Sequence, residues 1–441
     1  MYKNEEEKLN EYKQMYDHVP ISFESLDQAI LEGFQKAKLE NKSKPRRRTW
    51  MFGLAAAAVI LIGFFTSIRL SPAFAGYITV IPGMEKVVEL IRYDKGMMSA
   101  VENDYYQKLG VMEEKNGLKV IIDGAIADEN GLVLFYSLKT NEKLKEIFIE
   151  KAEIESLDGE NIDLSSASYG SSHFSHEGEK YFHGTIDYFF KKPIKTGEYA
   201  LNLKLKGDIE SSYSIPFTLS KEMKTKKIYE INKTVTIEGQ KITFLTATVQ
   251  PLRVAVHVKM DPNNTMKILD IQDLRLVDEN GEAWNKNANG TTASKISDDE
   301  QIIYLQSNYF RQPKELFLVL NKLQAVNKDE AFVVVDPEKQ QILKQPKGEV
   351  LSGVKVSGDH IDFTMKTKGD FPYFLFGKIK DVNGDEVNSE TSYFNSGDGE
   401  KKGMREFGVQ IHNLHNQKGP LSFELSFFPS WIEGKVKVKI D

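Results

Sequence analysis

The sequence predicts a mainly β protein: tandem immunoglobulin-like β-sandwich domains outside a membrane, one transmembrane helix and a short α-helical cytoplasmic segment. Three observations lead there. Only one window of the chain, Thr49 to Ile68, runs for about 20 residues without a charge. From Gly117 onward, short alternating apolar runs are separated by Gly, Asn and Asp turns. Those runs recur with a period of roughly 115 residues, the mark of repeated domains.

Length and composition bound the answer. At 441 residues the chain is long enough for about three domains of ~150 residues. Hydrophobic residues make up 40% and charged residues 28%, too apolar a balance for a disordered chain. There is no cysteine, which excludes disulfides, thiol catalysis and Cys-ligated zinc or iron–sulfur centres. A net charge of −6 argues against direct nucleic-acid binding by the whole chain.

The apolar run sets the topology. A helix over residues 49–69 spans a ~30 Å hydrocarbon core at ~1.5 Å per residue. Lys36, Lys38, Lys42, Lys44, Arg46, Arg47 and Arg48 precede it, whereas Arg69 and Lys86 are the basic residues of the next stretch. Lys/Arg excess marks the cytoplasmic side, so the N-terminus is expected inside and the C-terminal domains outside, as a single-pass cell-membrane protein. Ala73-Phe74-Ala75 has the form of a signal-peptidase site, but the 48 residues ahead of the run are far longer than the charged region of a signal peptide. The expected role of Ala73 and Ala75 is therefore regulated cleavage.

Residues 1–48 divide by charge. Eight acidic residues from Glu5 to Glu32 face three lysines, and the remainder is basic. His18-Val19-Pro20 separates two helices, Asn4 to Tyr16 and Ser22 or Ser25 to about Lys42. Leu26, Ile30, Phe34 and Ala37 fall on one face of the second. A segment this short buries little core alone, so the stripe is expected to dock on a cytoplasmic protein.

Beyond the span, residues 70–110 read as a juxtamembrane helical collar, with helices over Glu85–Tyr93 and Met98–Leu109. Three sandwiches are expected at 111–222, 228–344 and 349–441, joined by lysine-rich linkers at Lys221–Lys227 and Gln340–Lys347. Turns at Glu129-Asn130-Gly131, Asn280-Gly281 and Asn383-Gly384 supply the positive φ that tight hairpins need.

A search for chemistry yields little. His173, His176 and His183 match no strong metal spacing, and His412 and His415 fall in a turn. Asp278-Glu279-Asn280-Gly281 resembles half a calcium loop but lacks the downstream glutamate. No nucleophile elbow, HExxH, P-loop or dinucleotide fingerprint is present. No enzyme activity, cofactor or metal is expected. Phe371–Phe374 and Phe427–Trp431 read as core or edge packing rather than a ligand surface.

Ser71-Pro-Ala-Phe-Ala75, Ile81-Pro-Gly83, Glu89–Asp94 and Asn116–Gly131, in this order of parts, resemble membrane-anchored anti-sigma factors of Gram-positive bacilli. More narrowly, they are similar to an uncharacterised extracytoplasmic β-domain family linked to extracytoplasmic-function sigma factors. The resemblance implies that residues 1–48 sequester such a sigma factor, with Leu26, Ile30 and Phe34 as apolar contacts. It implies that an envelope ligand or protein is sensed outside and that proteolysis, first near Ala73–Ala75, releases the sigma factor. Gly53, Ala55–Ala58 and Gly63 would ease opening of the helix within the membrane. The His-x₃-Cys-x₂-Cys zinc motif of many anti-sigma domains is absent, which implies the metal-free type. The competing expectation is a cell-surface receptor or adhesion-type binding protein with a non-signalling anchor.

Overall fold

The computed structural model describes residues 84–441, apart from 171, 287–291, 367–370, 396–403, 418 and 441. The expected cytoplasmic helices, the 49–69 span and the 70–83 part of the collar lie outside the described residues. Among the described residues no helix is long and apolar enough to cross a membrane. The fold is mainly β, as its alternating sequence predicts: among the described residues two short α-helices precede twenty-six strands.

Helix α1 covers Glu85–Ile91 and buries Val87, Val88 and Ile91. Helix α2 covers Lys95–Glu102. It starts earlier than the expected Met98, because the Asp94 carboxylate accepts the Met97 N–H at 2.9 Å as an N-cap. It also ends well before Leu109. Asp104 turns to φ 55°, and a strand begins at Gln107.

The first β-unit contains β1 (Gln107–Lys115), β2 (Leu118–Asp128), β3 (Gly131–Ser156), β4 (Leu164–Ser168), β5 (His173–Phe190), β6 (Gly197–Gly207) and β7 (Ser211–Leu219). These form one seven-stranded sheet rather than two separate ones. The cause is β3, which is 26 residues long. Its first part pairs with β2 and β5, and its last part, Ile147–Ser156, pairs with β6. Register shifts between Lys139 and Glu146 mark the bend. There the Asp208 carboxylate accepts the Lys145 and Glu146 N–H groups. Gly207 (φ 130°) passes so close to the Glu146 carbonyl that a Cβ would lie 2.3 Å from it. The sheet thereby rolls until β7 lies beside β1, where Gln107 Nε2 donates to the Thr218 carbonyl (2.6 Å) and the Tyr213 hydroxyl to the Leu118 carbonyl (3.1 Å). Leu118, Ile122, Leu134, Ile186, Leu201 and Ile215 fill the interior.

The second unit stacks two sheets. One orders β14 (Ala293–Ser297), β15 (Glu300–Gln306), β10 (Arg253–Met260), β9 (Gln240–Val249) and β8 (Lys227–Ile237). The other orders β11 (Met266–Asp270), β16 (Leu316–Asn327), β12 (Arg275–Asp278) and β13 (Ala283–Trp284). The last strand of the chain, β26 (Trp431–Ile440), also pairs with β16, from Leu316↔Ile440 to Gln324↔Trp431.

The third unit comprises β17 (Phe332–Asp336), β18 (Gln341–Lys344), β19 (Leu351–Ser357), β20 (His360–Lys366), β21 (Phe376–Lys380), β22 (Glu386–Val387), β23 (Ser389–Asn395), β24 (Met404–Ile411) and β25 (Leu421–Leu425). Its sheets run β18-β17-β25-β21-β22 and β19-β20-β24-β23 around Phe363, Phe407 and Phe423. The expected split between 228–344 and 349–441 therefore differs from the strand pairing. Strands β17 and β18 belong to the third unit, and the expected 340–347 linker holds β18. The third unit is inserted between β16 and β26. The reason is burial: Ile432, Val436, Val438 and Ile440 face the core of the second unit, while Val333 and Val335 face that of the third. The expected repeat also breaks at Tyr373–Ile379, since β20 pairs with β24 and β21 joins the opposite sheet.

The insertion is testable. Val438 is buried in the second unit, so Val438→Asp places a carboxylate in that core at a cost of several kcal/mol. Hydrogen exchange should accelerate in β16 and β9 before β20 and β24. Faster exchange confined to 349–425 would contradict the pairing.

Candidate functional site at the collar junction

Buried Arg253 and Asp128 lie together where the collar, the first unit and the second unit meet. Arg253 opens β10 and is only 5% exposed. Its guanidinium lies 3.4 Å from the centre of the Phe189 ring at the end of β5. Its other face leaves no room at Gly131, where a Cβ would sit 2.5 Å from Nη2. Phe189 also meets Tyr304 of β15 at 5.0 Å between ring centres.

Three carboxylates face this cation from two directions. Asp128 ends β2, and its Oδ2 accepts the Leu252 N–H at 3.1 Å while Oδ1 accepts the Asn130 N–H at 3.0 Å. Asp187 lies on β5, and Asp94 caps α2. Burial holds all three above the usual carboxylate range, with Arg253 partly opposing the rise, and Asp187 is pushed up to about 6. Burial also lowers Arg253, against the attraction of Asp128 and Asp187. Arg253 Nη1 has no hydrogen-bond partner. The Gln250 amide donates to Asn130 Oδ1 at 3.0 Å, completing the seam.

The two collar helices divide between the units. On the first unit, the Lys86 ammonium sits 4.0 Å above the Tyr181 ring and Glu89 lies 3.8 Å from His183. On the second, Gly96 presses against Ser307, Gln306 Nε2 donates to the Tyr93 carbonyl (3.0 Å) and Lys95 Nζ to the Ala283 carbonyl (3.0 Å). Glu102 faces Arg311 at 3.4 Å, and Tyr105 packs on Phe310 at 5.4 Å. The expected 221–227 linker is fastened too. Gln107 Oε1 accepts the Lys221 N–H, the Tyr105 hydroxyl accepts the Lys224 N–H, and the Tyr309 hydroxyl donates to the Thr225 carbonyl.

The site residues expected from sequence fare differently. Leu26, Ile30, Phe34, Ala37, Ala73 and Ala75 lie outside the described residues. The three β5 histidines have separate partners: His173 meets the Tyr136 hydroxyl (3.2 Å), His176 the Phe174 ring and His183 Glu89. No group of three His, Asp or Glu able to hold a metal occurs among the described residues. Asp278 spends its Oδ1 on the N–H groups of Asn280 and Glu282, a hairpin turn that Asp381 repeats with Asn383 and Asp385. The two aromatic stretches come together, with Tyr373 stacked on Phe427 at 4.7 Å. Phe371 and Phe428 enter the core, and Trp431 Nε1 donates to Gln272 at 2.8 Å. The Arg253 cluster escaped the sequence reading. Its signal was a lone arginine inside Leu252–Val258, on the outward parity of that strand.

The cluster fastens the collar and the two units together, and the fastening titrates. Arg253→Met should cost about 3–5 kcal/mol at pH 7.5, because it strands buried carboxylates, and less at pH 5. Burial pushes Asp187 up to about 6, above its ordinary value of 3.8. Its stabilising contribution is thus complete below about 3.8 and lost as pH rises through about 6. By calorimetry, wild-type Tm minus Asp187→Asn Tm should fall between pH 4 and pH 7. A flat difference would show that Asp187 titrates normally.

Residues 44–140 match a "Domain of unknown function (DUF4179)", and residues 226–346 match a "Family of unknown function (DUF5643)". The first is a domain family often found in anti-sigma-factor-like membrane proteins. No curated protein matches the chain. Among solved structures, the chain is similar to "the crystal structure of the conserved domain protein from Bacillus anthracis", at 16% identity and a TM-score of 0.37, over 54% of this chain and 84% of that one.

Proposed function

We propose that this chain is a single-pass membrane regulator. It sequesters an extracytoplasmic-function sigma factor through residues 1–48, senses an envelope signal through its immunoglobulin-like outer β-units, and is released by proteolysis. The observation that carries the reading is the DUF4179 match over 44–140. That stretch takes in the basic stop, the apolar run, the collar and the first strands, so the resemblance read from Ser71–Gly131 and the family match fall on the same residues.

The structure supports the outer half of this scheme in one respect. The collar is folded into the β-units, so residues 84–441 would leave the membrane as one piece after cleavage at Ala73–Ala75. Inside, Leu26, Ile30, Phe34 and Ala37 supply the apolar stripe that a partner would bury, and each large side chain lost from such a contact is worth about 1–3 kcal/mol.

Full-length protein extracted in mild detergent should recover a sigma factor from the cell's own extract. Phe34→Asp or Leu26→Asp should cut recovery at least about tenfold and derepress the target genes. Equal recovery by wild type and variants, or regulation unaltered by deleting residues 1–35, would overturn the reading in favour of a surface binding protein. Replacing Ala73 and Ala75 by leucine should preserve the full-length band on immunoblots under inducing stress. Unchanged processing would move the outer cleavage elsewhere.

A further inference from the structure

Helix α1 has seven residues and α2 has eight, too short to persist on their own. Their order therefore comes from what they touch, and they touch different bodies. Helix α1 is held by Tyr181 and His183 of the first unit. Helix α2 is held by Ser307 and Ala283 of the second, at Gly96 and Lys95. The link between them, Arg92 to Asp94, is three residues, and within it the Tyr93 carbonyl is already bonded to Gln306. No slack remains for the two bodies to turn relative to each other with both helices seated.

We propose that the collar is a strap across the joint between the first and second β-units, and that a change of angle at this joint unseats it. Arg253 is the pivot. It belongs to the second unit, stacks on Phe189 of the first, and faces the Asp94 cap of α2, so moving either unit changes the surroundings of that cap. The second unit reaches α2 through Gly96 against the Ser307 backbone, a contact that tolerates no added atom. Coupling is then reciprocal. Whatever opens the joint loosens the collar, and whatever displaces the collar loosens the joint. The coupling stands whatever residues 1–48 bind. Only its use as an outside-to-inside signal rests on the proposed function.

Hydrogen exchange on the full-length protein in detergent tests the strap from both ends. Tyr181→Ala removes a hold on α1 in the first unit. It should accelerate exchange about tenfold not only in 85–92 but also in 95–102 and 304–308. Gly96→Val, which pushes α2 off Ser307, should do the reverse and accelerate 85–91 and 128–131. Phe423→Ala, in the core of the third unit, is the control for general loosening and should leave the collar unchanged. Acceleration confined to the helix nearest each substitution would overturn the proposal, as would equal acceleration by Phe423→Ala. Sigma-factor recovery, read separately, reports on the proposed function and not on the strap.

Discussion

The described structure turns on one desolvated cation. Removing a guanidinium from water is costly unless charge and hydrogen bonds replace the solvent, and the replacements for Arg253 come from separate pieces of the chain. Phe189 supplies the ring face, Asp128 and Asp187 the facing charge from the first unit, and Asp94 that from the collar. None of these residues explains its own surroundings without the others. Gly131 is conformationally ordinary, so its lack of a side chain is explained by the guanidinium against it rather than by its backbone. Burial raises all three carboxylates more than the one arginine lowers them, so the seam is sensitive to protons.

That arrangement accounts for the collar. An eight-residue helix with a single side-chain cap would fray in water, yet Ala100 and Val101 are buried and Asn103 closes its last turn on the Ser99 carbonyl. Stability is borrowed from packing, as usual for short helices. The Lys221–Lys227 stretch, with the composition of a free linker, is ordered for the same reason. Its backbone donors have specific acceptors in Gln107 and Tyr105, so it behaves as part of the joint.

The β architecture was legible from residues where a period of two survives: Val254, Val256 and Val258 alternate inward as the sequence implies. Turns were legible where Asp-x-Asn-Gly fixes local geometry. Partnering between distant strands was not. Lys435-Val-Lys-Val-Lys-Ile440 reads as an amphipathic strand in any register, and nothing local says that it returns to β16 across a whole inserted unit. The 26-residue β3 has a polar middle with the composition of a loop, and Asp208 accepts from its Lys145 and Glu146 N–H groups where the strand bends. Arg253 was invisible for a related reason. Strand parity sends it outward, and outward means solvent until a second body covers that face.

The joints within 84–441 are not equivalent, and the difference bears on where movement is possible. Between the second and third units the backbone crosses twice, along β16 into β17 and back through Phe428 into β26. The crossings are tied together where Ala325 N donates to the Ser430 carbonyl and Phe428 N to Gln324. Two adjacent paired crossings resist rotation. Between the first and second units the backbone crosses once, near residues 220–227, and the seam combines the polar bonds of Asp128 to Leu252 and Asn130 to Gln250 with the Phe189–Tyr304 ring contact. Each such bond can be exchanged for water at a net cost of about 1 kcal/mol, whereas opening an apolar interface costs in proportion to area. The third unit is therefore tied to the second through two paired crossings, whereas the second meets the first through a single crossing and the Arg253 seam, where the collar is held.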